Sequence, residues 1–263
     1  MKTRTERKSF LSEFDGSDQR FIIEYLVGRR TGPLVFYLHG GLAHAEQGFC
    51  DGYDGCFGNL RLEVMRRRGV YVSPEYRGNS WMNASAEADI AQLIRQIKAE
   101  FGLERVVLMG ASMGGTAALI YASHRPQSVH GVVALCPAAD MKALWTDLSA
   151  RREPMFQTLT RSIEAAYSGT PDEAPDEYSY RSALDQAASL RMPVVIRHGG
   201  SDGLLPVWHS RLLVAALRRQ GTPVLYDEIP DGEHDSPTRR TPWRDYLDFV
   251  LQSDSSAERS GGV

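Results

Sequence analysis

Cysteine is scarce. Three thiols, at 50, 56 and 136 of 263 residues, do not make a disulfide framework. Cys50 and Cys56 share the Gly-rich stretch FCDGYDGCFG and are expected to stay free in a reducing compartment; Cys136 closes an apolar run and is expected in the core. No apolar run approaches the roughly 20 residues that cross a bilayer, and the polar start MKTRTERKSF holds no apolar segment followed by a cleavage site. A cytoplasmic chain with no membrane partner is the expectation. A surplus of one charge is missing too. With 30 Lys and Arg against 33 Asp and Glu, nothing favours a nucleic-acid partner, and the basic clusters at 66–68, 151–152 and 239–240 read as solvated surface. Seven histidines show no H-E-x-x-H or comparable ligand spacing, so no metal and no cofactor are expected.

What the chain does have is alternation. Short, β-branched, nearly continuous apolar runs lie at 21–27, 33–39, 70–75, 105–110, 129–136, 193–199 and 223–229. Between them come helical patterns at 57–68, 85–101, 114–124, 207–220 and 242–252. Strands covered on both faces and separated by helices predict a mostly parallel, doubly wound sheet. The link GRRTG predicts an antiparallel hairpin between the runs 21–27 and 33–39. One connection, from Cys136 to Pro193, is too long for a plain crossover. It holds helical pieces at 141–150 and 155–167, a Pro/Asp/Glu-rich link and a short helix near 182–190, and it predicts a cap at about 140–180 over the strand ends. The reading is one domain over 1–252 and a disordered polar tail, SDSSAERSGGV, at 253–263.

The central run turns straight into a helix through Gly110-Ala111-Ser112-Met113-Gly114. A sharp strand-to-helix turn exposes the residue at its apex, Ser112, and close passage of the two elements leaves room only for glycine two positions to either side. A serine hydroxyl is a poor nucleophile until a base takes its proton, and the base needs a carboxylate to hold its tautomer. Both are present after later strands: Asp202 in Gly200-Ser201-Asp202-Gly203 and His234 in Pro230-Asp231-Gly232-Glu233-His234. Asp231 and Asp235 are too close in sequence to His234 to orient its ring as Asp202 would. His198 reads as structural, and His124, His130 and His209 as surface or packing residues. Oxyanion donors are expected from the backbone of Met113 and of Gly41, in the loop His39-Gly40-Gly41-Leu42. Leu42 and the aromatics Trp145, Phe156 and Trp208 are the candidate substrate contacts.

These residues resemble α/β-hydrolases, and more narrowly the catalytic domain of the prolyl oligopeptidase-like group, from about Pro33 to Leu251. The resemblance rests on YLHGG (37–41), PEYRGNS (74–80), MGASMGG (109–115), PDEYSYRSALDQAASLRMPVVIRHGGSDGLLPV (175–207) and DGEHD (231–235). It implies the α/β-hydrolase fold with a short helical cap, a triad of Ser112, Asp202 and His234, and oxyanion donors at Gly41 and Met113. Leu42 stands where the group often has proline. About thirty residues precede the domain in the chain given, where the group's oligopeptidases carry a β-propeller. An esterase acting on a small-molecule ester is therefore expected ahead of a small peptidase or aminopeptidase. An inactive binding protein of the same fold comes last, because every part of the triad is present in order.

Overall fold

A strand buried on both faces needs apolar side chains at nearly every position. In a computed structural model, which describes residues 2–252, the runs that meet this requirement occupy the middle of an eight-stranded sheet. They are β3 (Leu34–Leu38), β4 (Val70–Pro74), β5 (Val106–Ala111) and β6 (Gly131–Leu135), each buried along its whole length. β7 (Val194–Gly199) and β8 (Val224–Ile229) extend the sheet on one side, β2 (Asp18–Leu26) and β1 (Thr3–Leu11) on the other, in the order β1-β2-β4-β3-β5-β6-β7-β8. β3 to β8 run parallel; β1 and β2 are antiparallel to their neighbours.

The hairpin predicted through GRRTG does not form. β2 pairs instead with β1 and with β4, in the register Phe21↔Pro74 to Tyr25↔Val70, and β4 separates it from β3. Burial explains the choice. β3 is apolar on both faces and belongs between β4 and β5, whereas β2 buries only part of its length and suits a place nearer the edge. β1 was not foreseen because TRTERKSFL shows no apolar alternation; charged side chains are what an edge strand carries to discourage further pairing.

Successive side chains point to opposite faces, so each strand feeds two cores. On one face Val35, Val107, Val133 and Val195 pack with Leu60 and Val64 of α1 (Gly52–Arg66) and Leu247 and Val250 of α8 (Trp243–Leu251). On the other, Phe36, Leu108, Val132 and Ile196 meet α2 (Ala84–Phe101), α3 (Met113–His124) and α7 (Trp208–Arg219). α1 begins with a left-handed turn at Tyr53, Asp54 and Gly55, so its regular part starts where the pattern 57–68 placed it.

Between β6 and β7 the chain forms α4 (Met141–Ser149), α5 (Pro154–Tyr167) and α6 (Pro175–Tyr180). The short helix expected near 182–190 is only a 3-10 turn, Ala187–Ser189. The expected tail at 253–263 lies outside the described residues. No helix among the described residues is long and apolar enough to cross a membrane, and the three cysteines are unbridged.

α6 is tied to the main layer by a buried ionic cluster. Glu87 of α2 accepts from His124 Nδ1 and Arg125 Nε, both at 2.9 Å, and lies 3.6 Å from Arg181, which also donates to Met82 O. Burial alone would raise the Glu87 carboxyl, but hydrogen bonds from His124 and Arg125 outweigh it and hold the group at about 2, against 4.5 ordinarily. A depressed carboxyl stabilises the fold above its ordinary value, and that contribution is lost as pH falls from 4.5 towards 2. Melting temperature followed across this window should therefore fall less steeply for Glu87→Gln than for the wild type, although the variant starts lower at neutral pH. Parallel curves would assign the acid sensitivity to other carboxylates.

Candidate active site

β5 enters the core and α3 leaves it through one residue. Ser112 has φ 58° and ψ −125°, a conformation disfavoured for any side chain and held by the crossing of the two elements. Its N–H donates to Leu135 O at 2.8 Å, and its carbonyl accepts from Thr116 N at 3.0 Å. The flanking glycines are sterically required. A Cβ on Gly110 would lie 2.3 Å from the Gly114 carbonyl carbon, and one on Gly114 would lie 2.0 Å from Leu38 O.

Two loops at the carboxyl ends of β7 and β8 supply the rest. They are joined by backbone hydrogen bonds, Gly200 N to Ile229 O at 2.7 Å and Ser201 N to Gly232 O at 2.9 Å. This brings His234 Nδ1 within 2.7 Å of Asp202 Oδ2. The other carboxylate oxygen, Oδ1, accepts from Leu204 N and Leu205 N, both at 2.8 Å. Burial works to raise the Asp202 carboxyl, yet hydrogen bonds from His198 and His234 hold it well below the usual carboxylate range. Asp202 is thus a charged group in a dry place, facing an imidazole. Ser112 Oγ makes no hydrogen bond to His234 among the described residues; contacts of this kind commonly tighten only once substrate is bound.

The loop after β3 is fixed on both sides of Gly41. Gly40 N donates to Gln47 Oε1 and Leu42 N to Asn79 Oδ1, each at 2.7 Å. Gly41 N–H itself donates to no acceptor among the described residues, and neither does Met113 N–H in the first turn of α3. Two free donors therefore flank the serine, with the positive end of α3 behind them.

Ser112, His234, Gly41 and Leu42 line one cavity of about 150 Å³. Its remaining wall is mostly apolar: Tyr53 and Phe57 from the α1 side, Met155 and Leu159 from α5, and Leu204 from the acid loop. Of the four candidate substrate contacts only Leu42 is there. Trp145 is turned to Glu164, with its Nε1 3.0 Å from Oε1; Phe156 lies beneath Arg151 at 4.5 Å; Trp208 stacks on His209 at 3.7 Å. Met155 and Leu159 line the cavity wall instead. They are four residues apart at the start of α5 and so share a face, a signal present in the sequence beneath the louder one of tryptophan.

An aminopeptidase would need an acidic anchor for the substrate amine, and Glu46, Glu75 and Asp140 do not line this cavity. Glu46 and Glu75 line a separate groove beside β1 and β2, and Asp140 caps α4 by accepting from Ala143 N at 2.9 Å. Asp235, unforeseen in that role, lines the Ser112 cavity. Cys136 also reaches the cavity, but burial pushes its thiol well above the usual range. Its donor atom lies within 4.8 Å of those of Asp202 and His234, the one cluster of metal-ligand type among the described residues. Asp202 and His234 are already committed to each other there.

A family model for the prolyl oligopeptidase family matches residues 58–253. An uncharacterized peptidase of Bacillus subtilis is 26% identical over 198 residues, covering 68% of this chain and 74% of that protein. Among solved structures, an S-formylglutathione hydrolase from Agrobacterium tumefaciens superposes with a TM-score of 0.69 at 16% identity, covering 94% of both chains. The acylaminoacyl peptidase of Pyrococcus horikoshii superposes at 0.67 and 14% identity; 96% of this chain is covered, but only 41% of that longer one. Both neighbours share the α/β-hydrolase fold. The chain is a hydrolase that belongs to the prolyl oligopeptidase family.

Proposed function

We propose that the protein hydrolyses carboxylic esters of short acids through an acyl-enzyme on Ser112. The observation that carries this reading is a small, apolar-walled cavity holding both Ser112 and His234. At about 150 Å³ it is smaller than the roughly 300–1,000 Å³ typical of pockets for drug-sized ligands. In this mechanism His234 Nε2 takes the Ser112 proton as Oγ attacks the ester carbonyl, while Asp202 holds the Nδ1–H. The Gly41 and Met113 N–H groups receive the oxyanion. Collapse of the tetrahedral adduct passes the proton from His234 to the leaving alcohol. Water, deprotonated by the same histidine, then releases the acid and restores Ser112. Residues of about 140–180 act as the cap, α5 bringing Met155 and Leu159 to the acyl chain.

A second reading, a small aminopeptidase, is favoured by Asp235, whose carboxylate in the cavity wall suits a protonated amine. Initial rates on p-nitrophenyl esters of increasing acyl length, beside aminoacyl-p-nitroanilides, separate the two. Acetate to butyrate esters should turn over fastest, with a steep fall for longer chains. Anilides cleaved as fast as the short esters would reverse the order.

A further inference from the structure

Asp202 Oδ2 receives two imidazoles. Opposite His234, the Nε2 of His198 lies 3.1 Å from the same oxygen. His198 is wholly buried on β7, and its Nε2 also faces Leu205 O at 2.8 Å. Facing two acceptors, Nε2 carries the hydrogen. Nδ1 then accepts from the Ser210 hydroxyl, 2.6 Å away on α7 and itself fully buried. Leu205 O and Ser210 would satisfy a packing histidine without the carboxylate. The contact with Asp202 exceeds that need, and it falls on the atom that holds the base.

We propose that His198 is a positioning residue for the catalytic acid: by donating to Asp202 Oδ2 it shares that oxygen's charge and sets how strongly the carboxylate holds protonated His234. The proposal rests on the Ser112–His234–Asp202 reading above. Without the His198 donor, more of the carboxylate's charge bears on His234, the protonated imidazole is favoured, and the base becomes available only at higher pH. Ser210 acts one step further out, fixing the tautomer in which Nε2 is the donor.

The neighbouring groups do not obscure this effect. Burial holds His209 of α7 down at about 3, so it is uncharged wherever a histidine base works. Arg211 holds Glu228 of β8 at about 2, and burial keeps the Cys136 thiol protonated. Asp235, next to His234, is common to every variant compared.

The test is the pH profile of kcat/KM on p-nitrophenyl acetate for the wild type, His198→Leu, His198→Gln and Ser210→Ala, with melting temperatures. In His198→Leu the acidic limb should move up by roughly half a unit to one unit. KM should be unchanged, because His198 touches no substrate. His198→Gln, which keeps an N–H donor, should return the limb most of the way to the wild-type position. Ser210→Ala should shift it in the same direction as Leu by less. An acidic limb that stays at the wild-type pH in both His198→Leu and Ser210→Ala, whatever the melting temperatures, overturns the proposal. Should His198→Leu fail to fold, the Ser210→Ala limb decides alone. Failure of the underlying reading looks different: Ser112→Ala would then hydrolyse the ester as the wild type does.

Discussion

Ser112→Ala is expected to lower kcat on short esters by about a millionfold, to whatever the oxyanion donors and binding alone supply. His234→Ala should cost nearly as much. The double variant should be little worse than either, because the serine and the histidine act in one proton-coupled step and the second deletion removes nothing that still works. Losses that multiplied would mean that the two residues serve separate steps. A fluorophosphonate gives an independent readout. It should label the wild type on Ser112 and leave Ser112→Ala unlabelled, since Cys136, the other nucleophile in the cavity wall, is held protonated by burial. Label on Cys136 would contradict that account.

The second large effect concerns a residue that touches no substrate. In Gly114→Ala the new methyl would sit 2.0 Å from Leu38 O and 2.7 Å from His39 O. Both are backbone atoms of the adjacent strand and loop and cannot swing aside. The first turn of α3 must lift away from β3, carrying the Ser112 backbone and Met113 N–H with it. Overpacking of this kind is expected to destabilise the protein by about 3 kcal/mol, lowering the melting temperature by roughly 10 °C. The protein that remains folded should also be slow, because Gly41 and Met113 no longer converge on one oxyanion. Gly58→Ala is the matched control. That glycine lies in the regular part of α1, and a Cβ there meets nothing within 4 Å. It should melt at or slightly above the wild-type temperature. Equal melting of the two variants would show that the elbow has more room than its geometry allows.

The residues that proved readable in sequence are those whose local chemistry dictates their conformation. β3 to β6 announce themselves because a strand buried along its whole length carries few polar side chains, and β7 and β8 through their short apolar starts. Ser112, Asp202 and His234 stand out in the sequence because each sits by glycines just after a strand, and the fold brings Ser112 and His234 to one cavity with Asp202 behind the histidine. β1 was invisible for the opposite reason: an edge strand is built to look unlike a core strand. The placement of β2 beside β4 could not be read from GRRTG, since a five-residue link suits a hairpin as well as a step across the sheet. The cavity wall was misread through size. Bulk marks Trp145 and Trp208 as hydrophobic without saying which way they face, and the fold turns them to Glu164 and His209. His198 looked structural because its link to Asp202 spans four residues that only the loop after β7 brings together.

The order in which the site is completed follows from where its parts lie along the chain. Ser112 and its elbow belong to the first half, Asp202 follows β7, and His234 comes only after β8, the outermost strand of the sheet. During synthesis the growing polypeptide contains Ser112 well before His234 has been added. On the proposed mechanism the base meets its carboxylate only once β8 is in place, because the loop after β8 carries His234 to Asp202. On that mechanism a copy that ends before β8 would be chemically silent, and an active one would have closed its sheet to that edge.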